Sequence, residues 1–576
     1  MKINKQSVFV VLFVFVFQAC SQDNSSFESF KNKFDSDFKS ELKENHVSHA
    51  SFALINRDSV VFEDNFSAKG DNANRDKPYL IGSVTKVFTA VAIMQLYEQG
   101  KIDIDKPVSD YVTDFRIHQR FPDSSPITIR SVLTHHAGLP SDIYLHKFSA
   151  GKHDFNEILP YLNSQYTCFP VGKLWAYSNL GYALLGILTE RVSGMKYQDY
   201  ISKFIFQPLG MKNSGFYTDF NSQKKLSVAF NDSGMLKAEY PIFDQPAGSV
   251  YSSLNDMIEF CRSFIDKKEV LLKNTTIEKI FELQNADNLL DLDHRCAICF
   301  NFRNKASETG RVFEHGGATM YHRAQIFIAP DAGLAAVMLS DSPKGKDNAW
   351  KLNEQLMTAY CKARALNANN KVNPEKKMQF TPIAGKNLKS YAGDYALPGM
   401  ICRMNWKYNH LNPVINGQSF YLTENDENSF VPAKRFMGIM FKSKKMHFLL
   451  EEINGEKLFI QAMPWGELAV IGTQTTRKPI PAIWKQRTGT YRVTNAAPTD
   501  VETLVKIRIE QENGFIVLKY GFNPEMSFGQ DAVLALGISN DFEAFVLGNG
   551  RGGGESVVFD KDEKKFCYFG LQFTKI

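Results

Sequence analysis

The sequence predicts an α/β domain in which an antiparallel sheet is flanked by helices, followed by an all-β, antiparallel, barrel-like region. Three observations predict it. Strand-like apolar runs stand on both sides of a helix-patterned middle in the N-terminal part, which implies one sheet assembled from distant segments. A composition shift at Asn367-Ala-Asn-Asn-Lys-Val-Asn-Pro374-Glu-Lys-Lys marks a linker. Beyond it strand follows strand, and Asn416-Gly417, Asn454-Gly455 and Asn513-Gly514 each stand between β-rich runs, the strongest short-range hairpin signal.

With 576 residues, 44% apolar and 22% charged, the chain has material for several folded domains, and large-scale disorder is excluded. The net charge of +5 is small for this length, and no basic stripe is interleaved with aromatics, which excludes nucleic acid as the expected partner. Eight cysteines cannot frame a chain of this size. Cys296-Ala-Ile-Cys299 has no second pair and apolar neighbours, so buried thiols are expected there rather than a metal or redox pair.

The first element is a targeting segment. Lys2 and Lys5 precede Val8-Phe-Val-Val-Leu-Phe-Val-Phe-Val-Phe17, a run too short to span a bilayer, and Gln18-Ala19-Cys20 follows. The pattern resembles a bacterial lipoprotein signal over residues 1–20, with Cys20 as the lipidated first mature residue; cleavage nearby without lipidation is the alternative. Either way export is expected, to the bacterial periplasm or cell surface. Residues 21–45 read as a polar tether and a lead helix. Ser51-Phe-Ala-Leu-Ile-Asn56 and Ser59-Val-Val-Phe-Glu then read as two strands around an Asn-Arg-Asp turn.

Tyr79-Leu-Ile-Gly82-Ser83-Val-Thr-Lys86 turns from an apolar lead-in to a serine at the start of a helix that Gly100 closes. Lys86 lies three residues on, on the same helix face, so its ammonium can favour deprotonation of the hydroxyl. The same spacing at Ser36, Ser40, Ser149, Ser193 and Ser222 reads as solvated helix faces or turns. Lys86 differs because its helix is too apolar to lie on the surface. Ile127 to Pro140 is a strand or short helix ending in a loop, and helices are expected from Leu180 to Val192 and from Asn255 to Ile265. Tyr321 to Asp341 forms a hairpin turning between Pro330 and Gly333.

In the C-terminal half, Lys389-Ser-Tyr-Ala-Gly393-Asp-Tyr395 and Lys485-Gln-Arg-Thr-Gly489-Thr-Tyr491 share Lys-x-x-x-Gly-x-Tyr, which predicts two small β units or one duplicated barrel. The domain reading is 46–366, a linker at 367–385, and β domains at 386–482 and 483–576. Gly548-Asn-Gly550-Arg-Gly552-Gly553-Gly554 formally satisfies a nucleotide-binding pattern, but a strand follows it, so it reads as a flexible hairpin loop.

Two further stretches bear on Ser83. Tyr177-Ser-Asn179 precedes an apolar helix, and alone would be a helix cap. His315-Gly316-Gly317-Ala318 opens the closing hairpin, and alone would be a turn with an incidental histidine. In this order, Ser83-Val-Thr-Lys86, Tyr177-Ser-Asn179 and His315-Gly-Gly317 resemble the three motifs of the serine β-lactamase and penicillin-binding-protein family, particularly its class C-like branch. Leu133-Thr-His135-His-Ala-Gly138-Leu and Gln245-Pro-Ala247-Gly248-Ser-Val-Tyr251 look familial too, and the resemblance covers about residues 46 to 365.

The resemblance implies a β-lactamase/transpeptidase-like fold with an all-helical subdomain, and an exported serine hydrolase without metal or organic cofactor. Ser83 would be acylated, and either neutral Lys86 or a Tyr177 phenolate would take its proton. Asn179 would orient Lys86 and the substrate amide, Ser83 and Ala318 backbone N–H groups would form the oxyanion hole, and His315, Gly316 and Gly317 would line the substrate strand. The family's usual lysine is replaced by His315, mostly neutral at pH 7, so D-amino-acid peptides or esters are expected over β-lactams. β-Lactamase activity, or a non-catalytic penicillin- or cell-wall-binding lipoprotein, are the alternatives. The all-β half resembles lipocalin-like domains, which would cover the cleft, bind cell-wall material or a partner, or stabilise the chain. The expected partners are a small-molecule or peptide substrate and, through the lipid, a membrane.

Overall fold

The computed structural model describes residues 27–68, 74–219, 235–303, 308–366, 382–497, 504–522 and 532–576, with a few residues between these spans, and leaves single positions inside them undescribed. Cys20, the rest of the leader and most of the linker lie outside the described residues.

The central sheet has six antiparallel strands in the order Val60–Ser67, His49–Asn56, Leu334–Ser340, Arg323–Ala329, Val312–Ala318 and Asn301–Arg303. Segments far apart in the chain meet at its centre, where Phe52 stands opposite Met338. Both faces are buried, and the two-residue period sorts the side chains between two cores. Ala53, Ile55, Ile326, Ile328 and Val337 enter the large helical core, whereas Phe52, Leu54, Phe327, Ala336 and Met338 enter a second one. The second core is covered by a helix over residues 27–44, whose Phe34, Phe38 and Leu42 recur at helical spacing, and by Leu352, Leu356 and Tyr360 of the helical run ending at Ala363.

On the other face, the helix Thr85–Glu98 has twelve of its fourteen residues buried, so it is enclosed rather than amphipathic. It packs beside the helix Asn179–Ser193, and Phe88 stacks on Phe260 of the helix Leu254–Arg262 at 3.8 Å. The stretch from Ile127 resolves into the short helix Ile129–Leu133, capped by the Thr128 side chain.

The C-terminal half forms two sheets. One has ten strands between Gly393 and Thr475, and the other is a closed eight-stranded barrel between Gly489 and Lys575. Each barrel strand pairs with its sequence neighbour, and closure brings Tyr491 opposite Lys575. Side chains fill the interior, including Trp484, Tyr491, Phe559, Phe566 and Phe573. The sequence repeat is a structural one: Tyr395 and Tyr491 are fully buried, and each hydroxyl donates to a backbone carbonyl four residues back, Tyr391 at 2.9 Å and Arg487 at 2.6 Å. Asn454-Gly455 and Asn513-Gly514 turn with both residues at positive φ, as two-residue hairpins require.

The Gly548–Gly554 stretch departs from its reading as a flexible loop. It joins the strands Glu543–Val546 and Ser556–Phe559 and is pressed into the N-terminal domain, where a Cβ at Gly554 would overlap the Cys168 backbone. Gly554 serves close approach between two backbones.

Candidate active site

Ser83 is positioned by a small sheet and a turn. Tyr79–Leu80 pairs with Val250–Ser252, Ile81 N donates to the Val250 carbonyl at 3.0 Å, and the chain turns at Gly82, φ +49°, into the helical turn Gly82–Val84. A Cβ at Gly82 would lie 2.6 Å from Ala318 N, and one at Gly317 would overlap the Ile81 carbonyl oxygen. Glycine at both places lets the strand Val312–Ala318 lie directly against the serine turn. The backbone at Ser83 and at Ala318 is thereby brought to one spot, the arrangement that two oxyanion donors need.

Lys86 is wholly buried. Its Nζ lies 3.2 Å from Ser83 Oγ, 2.6 Å from Asn179 Oδ1 and 2.7 Å from the Ala247 carbonyl oxygen. Burial pushes it from 10.5 down to about 7, against the pull of Asp244. A neutral amine donates two hydrogens and offers one lone pair, which fits donation to Asn179 and Ala247 and acceptance from the Ser83 hydroxyl. Tyr177 stacks beside this group, with Nζ 4.9 Å from its ring centroid. Burial holds the Tyr177 phenol above its ordinary range even though a hydrogen bond with Ser83 favours the phenolate. Of the two bases the sequence leaves open, this favours neutral Lys86, with Tyr177 as a protonated phenol on the serine oxygen.

Asn179 is the first residue of its helix, whose cap is Ser178, with Ser178 Oγ accepting from Gly181 N. Its side chain accepts from Lys86 and donates to Asp142 Oδ1 at 2.6 Å. Burial alone would raise Asp142, but Arg551 and Lys147 overcome it and hold the carboxyl well below the usual range. Arg551 Nη2 stands 2.7 Å and Nε 3.2 Å from Asp142 Oδ2, while Lys147 reaches Asp244 Oδ2 at 2.5 Å. Arg551 comes from the glycine-rich barrel loop, and its guanidinium lies 5.1 Å from the Tyr177 ring centroid. His135, at φ +61°, accepts from Ser178 N through Nδ1 at 3.1 Å and packs on Tyr177.

His315 is buried, with Nδ1 2.9 Å from the Gly316 carbonyl oxygen. Burial and the nearby Lys86 push it down to about 3, so it is neutral at pH 7. Gly316 sits where a Cβ would lie 2.6 Å from Gln325 Oε1.

All eight residues expected at the site thus meet at one cavity of about 830 Å³, seven lining it directly and Lys86 behind Ser83. Three units share its wall. Leu397, Pro398 and Gly399 come from the ten-stranded sheet, and Tyr520, Leu534, Gly548, Asn549 and Arg551 to Gly553 from the barrel. Sequence reasoning missed Asp142, Lys147, Asp244 and Arg551. The only signal for Arg551 was the density of glycines around it. Of the other Ser-x-x-Lys copies, Lys39 is engaged by Asp35 and Asp64, Lys196 is 69% exposed, and Ser222–Lys225 lies outside the described residues. Seven described cysteines are free thiols, with Cys296 and Cys299 buried as expected.

The chain is 25% identical over 273 residues to "Beta-lactamase-like protein 2" of Dictyostelium discoideum, covering 45% of this chain and 50% of that protein. It is 25% identical over 257 residues to "Protein flp" of Staphylococcus aureus (strain MRSA252), covering 42% and 51% respectively. It spans about half the length of these curated relatives. The octameric penicillin-binding protein homologue from Pyrococcus abyssi superposes with a TM-score of 0.52 at 21% identity, covering 76% of this chain and 99% of that one, and thus shares the fold. A model of the beta-lactamase family matches residues 34–356, more than half of the chain and all three of the motif segments, so the protein belongs to the beta-lactamase family.

Proposed function

We propose that the protein is an exported serine hydrolase that forms an acyl-enzyme on Ser83, acting on peptides or esters containing D-amino acids. The observation that carries this reading is the buried, largely neutral Lys86 within hydrogen-bonding distance of Ser83, Asn179 and the Ala247 carbonyl. Ser83 attacks the substrate carbonyl as Lys86 takes its proton, and backbone N–H groups of Ser83 and Ala318 hold the developing oxyanion. The leaving group departs with a proton returned through Lys86 or Tyr177, and water then releases the acyl group by the same route.

Neutral His315 supplies no charge for a substrate carboxylate. Arg551 does: its bonds to Asp142 use Nε and Nη2, and Nη1 has no protein partner among the described residues. An arginine at the cleft wall supports substrates with a free carboxylate near the scissile bond, as in a D-aminoacyl carboxypeptidase. Arg551→Ala is expected to lower kcat/KM for such peptides by ~10- to 100-fold and to leave neutral short-chain esters within a few-fold, because one charge-assisted hydrogen bond contributes roughly 1.5–3 kcal/mol. Equal loss on both substrate types would remove Arg551 from substrate recognition.

Intact-mass measurement against D-amino-acid peptides, β-lactams and short-chain esters tests the hydrolase reading. An acyl adduct that turns over on the peptides or esters and is absent in Ser83→Ala supports it. Dominant turnover of β-lactams points to a β-lactamase, and absence of any adduct points to a binding protein. The leader supports export, with the chain held to a membrane through a lipid on Cys20; metabolic labelling with a palmitate analogue, lost in Cys20→Ser, tests the anchor.

A further inference from the structure

We propose that one end of the ten-stranded sheet is a docking surface for an anionic phospholipid membrane. The small net charge of the whole chain hides a local concentration. Residues 400–450 hold seven Lys and Arg against three Asp and Glu, a net +4 out of the chain's +5. The three acids all fall within residues 424–427, so 400–423 and 428–450 contain none.

The fold gathers these cations around exposed apolar side chains. Phe430–Phe436 pairs with Ile439–Lys442 in a hairpin whose register sets Lys434 opposite Phe441, Arg435 opposite Met440 and Ala433 opposite Lys442. The strand on its other edge, Tyr421–Glu424, pairs only as far as Ala433, so the hairpin projects beyond it as a two-stranded ribbon. Such a ribbon has little core of its own. Ile439 and Phe441 stand two residues apart, hence on one face, and both are exposed. The Arg435 guanidinium lies 4.0 Å from the ring centroid of Tyr408, in the turn between Met400–Lys407 and His410–Ile415, and so joins that turn to the ribbon. With Met446, four of the ten exposed large apolar side chains among the described residues lie at this end of the sheet, 41% to 68% exposed.

Lys407, Lys434, Arg435, Lys442 and Lys445 are exposed around them. Lys442 Nζ meets Glu424 through its backbone carbonyl, at 2.7 Å, and not through its carboxylate. Asp426 accepts from Asn428 N, Ser429 N and Ser429 Oγ, so it caps its own turn. The cations are left for an external anion. An exposed ribbon carrying Ile, Met and Phe invites self-association unless something covers it, and its flanking cations repel a second copy of the same face while attracting an anionic one. Apolar side chains set among Lys and Arg suit the boundary between lipid headgroups and acyl chains, with the cations at the phosphates. Ile439 and Met446 offer no ring for a base to stack on, which favours lipid over nucleic acid. The surface needs no lipid on Cys20.

The unlipidated chain from Ser21 onward is expected to co-sediment with vesicles of phosphatidylglycerol and phosphatidylcholine, not with vesicles of phosphatidylcholine alone, and to be released as salt rises. Reversing three charges, in Lys434→Glu/Arg435→Glu/Lys442→Glu, should weaken binding by ~100-fold or more, at roughly fivefold per cation removed. Ile439→Ser/Phe441→Ser keeps the charge and should weaken it by ~tenfold or more through lost insertion. Both variants should retain the wild-type Tm, because every substituted side chain is on the surface. Equal binding to the two kinds of vesicle, no binding by the wild type, or binding that survives either set of substitutions overturns the proposal. Tighter binding to a single-stranded oligonucleotide than to the anionic vesicles also overturns it. So does dimerisation in the ultracentrifuge without vesicle binding, lost in Ile439→Ser/Phe441→Ser, which would assign the ribbon to a second copy of the chain.

Discussion

At the scale of single residues, the proposed acyl transfer turns on which form of Lys86 the protein stabilises. Enclosed by apolar helices, the ammonium loses its hydration, and Asp244 restores only part of what burial removes, so the neutral form predominates above about pH 7. Only that form can take the Ser83 proton. The rate of Ser83 acylation by a fluorophosphonate or penicillin should therefore rise with pH through a midpoint of about 7 and level off above it. A rate that falls over the same range would instead assign the work to a charged Lys86 assisting a Tyr177 phenolate. Lys86→Arg keeps a permanent positive charge and should reduce acylation by ~10²- to 10⁴-fold, the usual contribution of a general base. The part of this site that could be read from sequence is the part that is local in sequence. Ser83 and Lys86 share one helical turn, and the Tyr177 and His315 motifs are short. Asp142 could not be read that way, because its environment comes from Arg551, 409 residues away, and from Lys147, whose second partner Asp244 is itself 97 residues off.

At the scale of elements, the sheet and the β half were legible because period-two patterning and Asn-Gly turns are local signals, and the buried Tyr395 and Tyr491 account for the repeat. The glycine-rich loop was misread because its composition is shared by free hairpins and by loops wedged against a second backbone, and only the fold distinguishes them. Gly554 discriminates between the two. It lies at φ +74°, and a Cβ there would overlap the Cys168 carbonyl and Cα. In a free loop Gly554→Ala would cost only the left-handed backbone penalty, on the order of 1–2 kcal/mol. In the wedged loop the overlap adds to it and pushes Arg551 away from Asp142. The substitution is therefore expected to lower the Tm and to raise hydrogen exchange across residues 548–556. It should also reduce turnover of carboxylate-bearing substrates as Arg551→Ala does. By contrast, Gly550→Ala has open space around its Cβ and should cost only the backbone term.

At the scale of the whole molecule, the barrel completes the candidate active-site cavity, so its docking and the protein's stability are linked through one buried carboxyl. Arg120 of the N-terminal domain binds the Gly554 carbonyl at 2.7 Å, Glu543 at 2.6 Å and Ser556 Oγ at 2.8 Å. Tyr144 N donates to the Phe569 carbonyl at 2.8 Å. Between these contacts Glu555, fully enclosed, accepts from Ser141 N at 2.6 Å, one residue from Asp142. Burial raises Glu555 from 4.5 to about 7. The folded protein therefore keeps a proton that the unfolded chain releases between those values. Stability from this group is complete below about pH 4.5 and is lost as pH rises through about 7, by on the order of 1–3 kcal/mol. Glu555→Gln keeps an oxygen for the Ser141 N–H and cannot ionise. Its Tm is expected to match the wild type near pH 4.5, to vary less with pH up to 8, and to exceed the wild-type value at pH 8. If the two Tm curves instead run parallel from pH 4.5 to 8, Glu555 does not couple ionisation to docking, and the contact between barrel and cleft must be held by Arg120 and the backbone contacts alone.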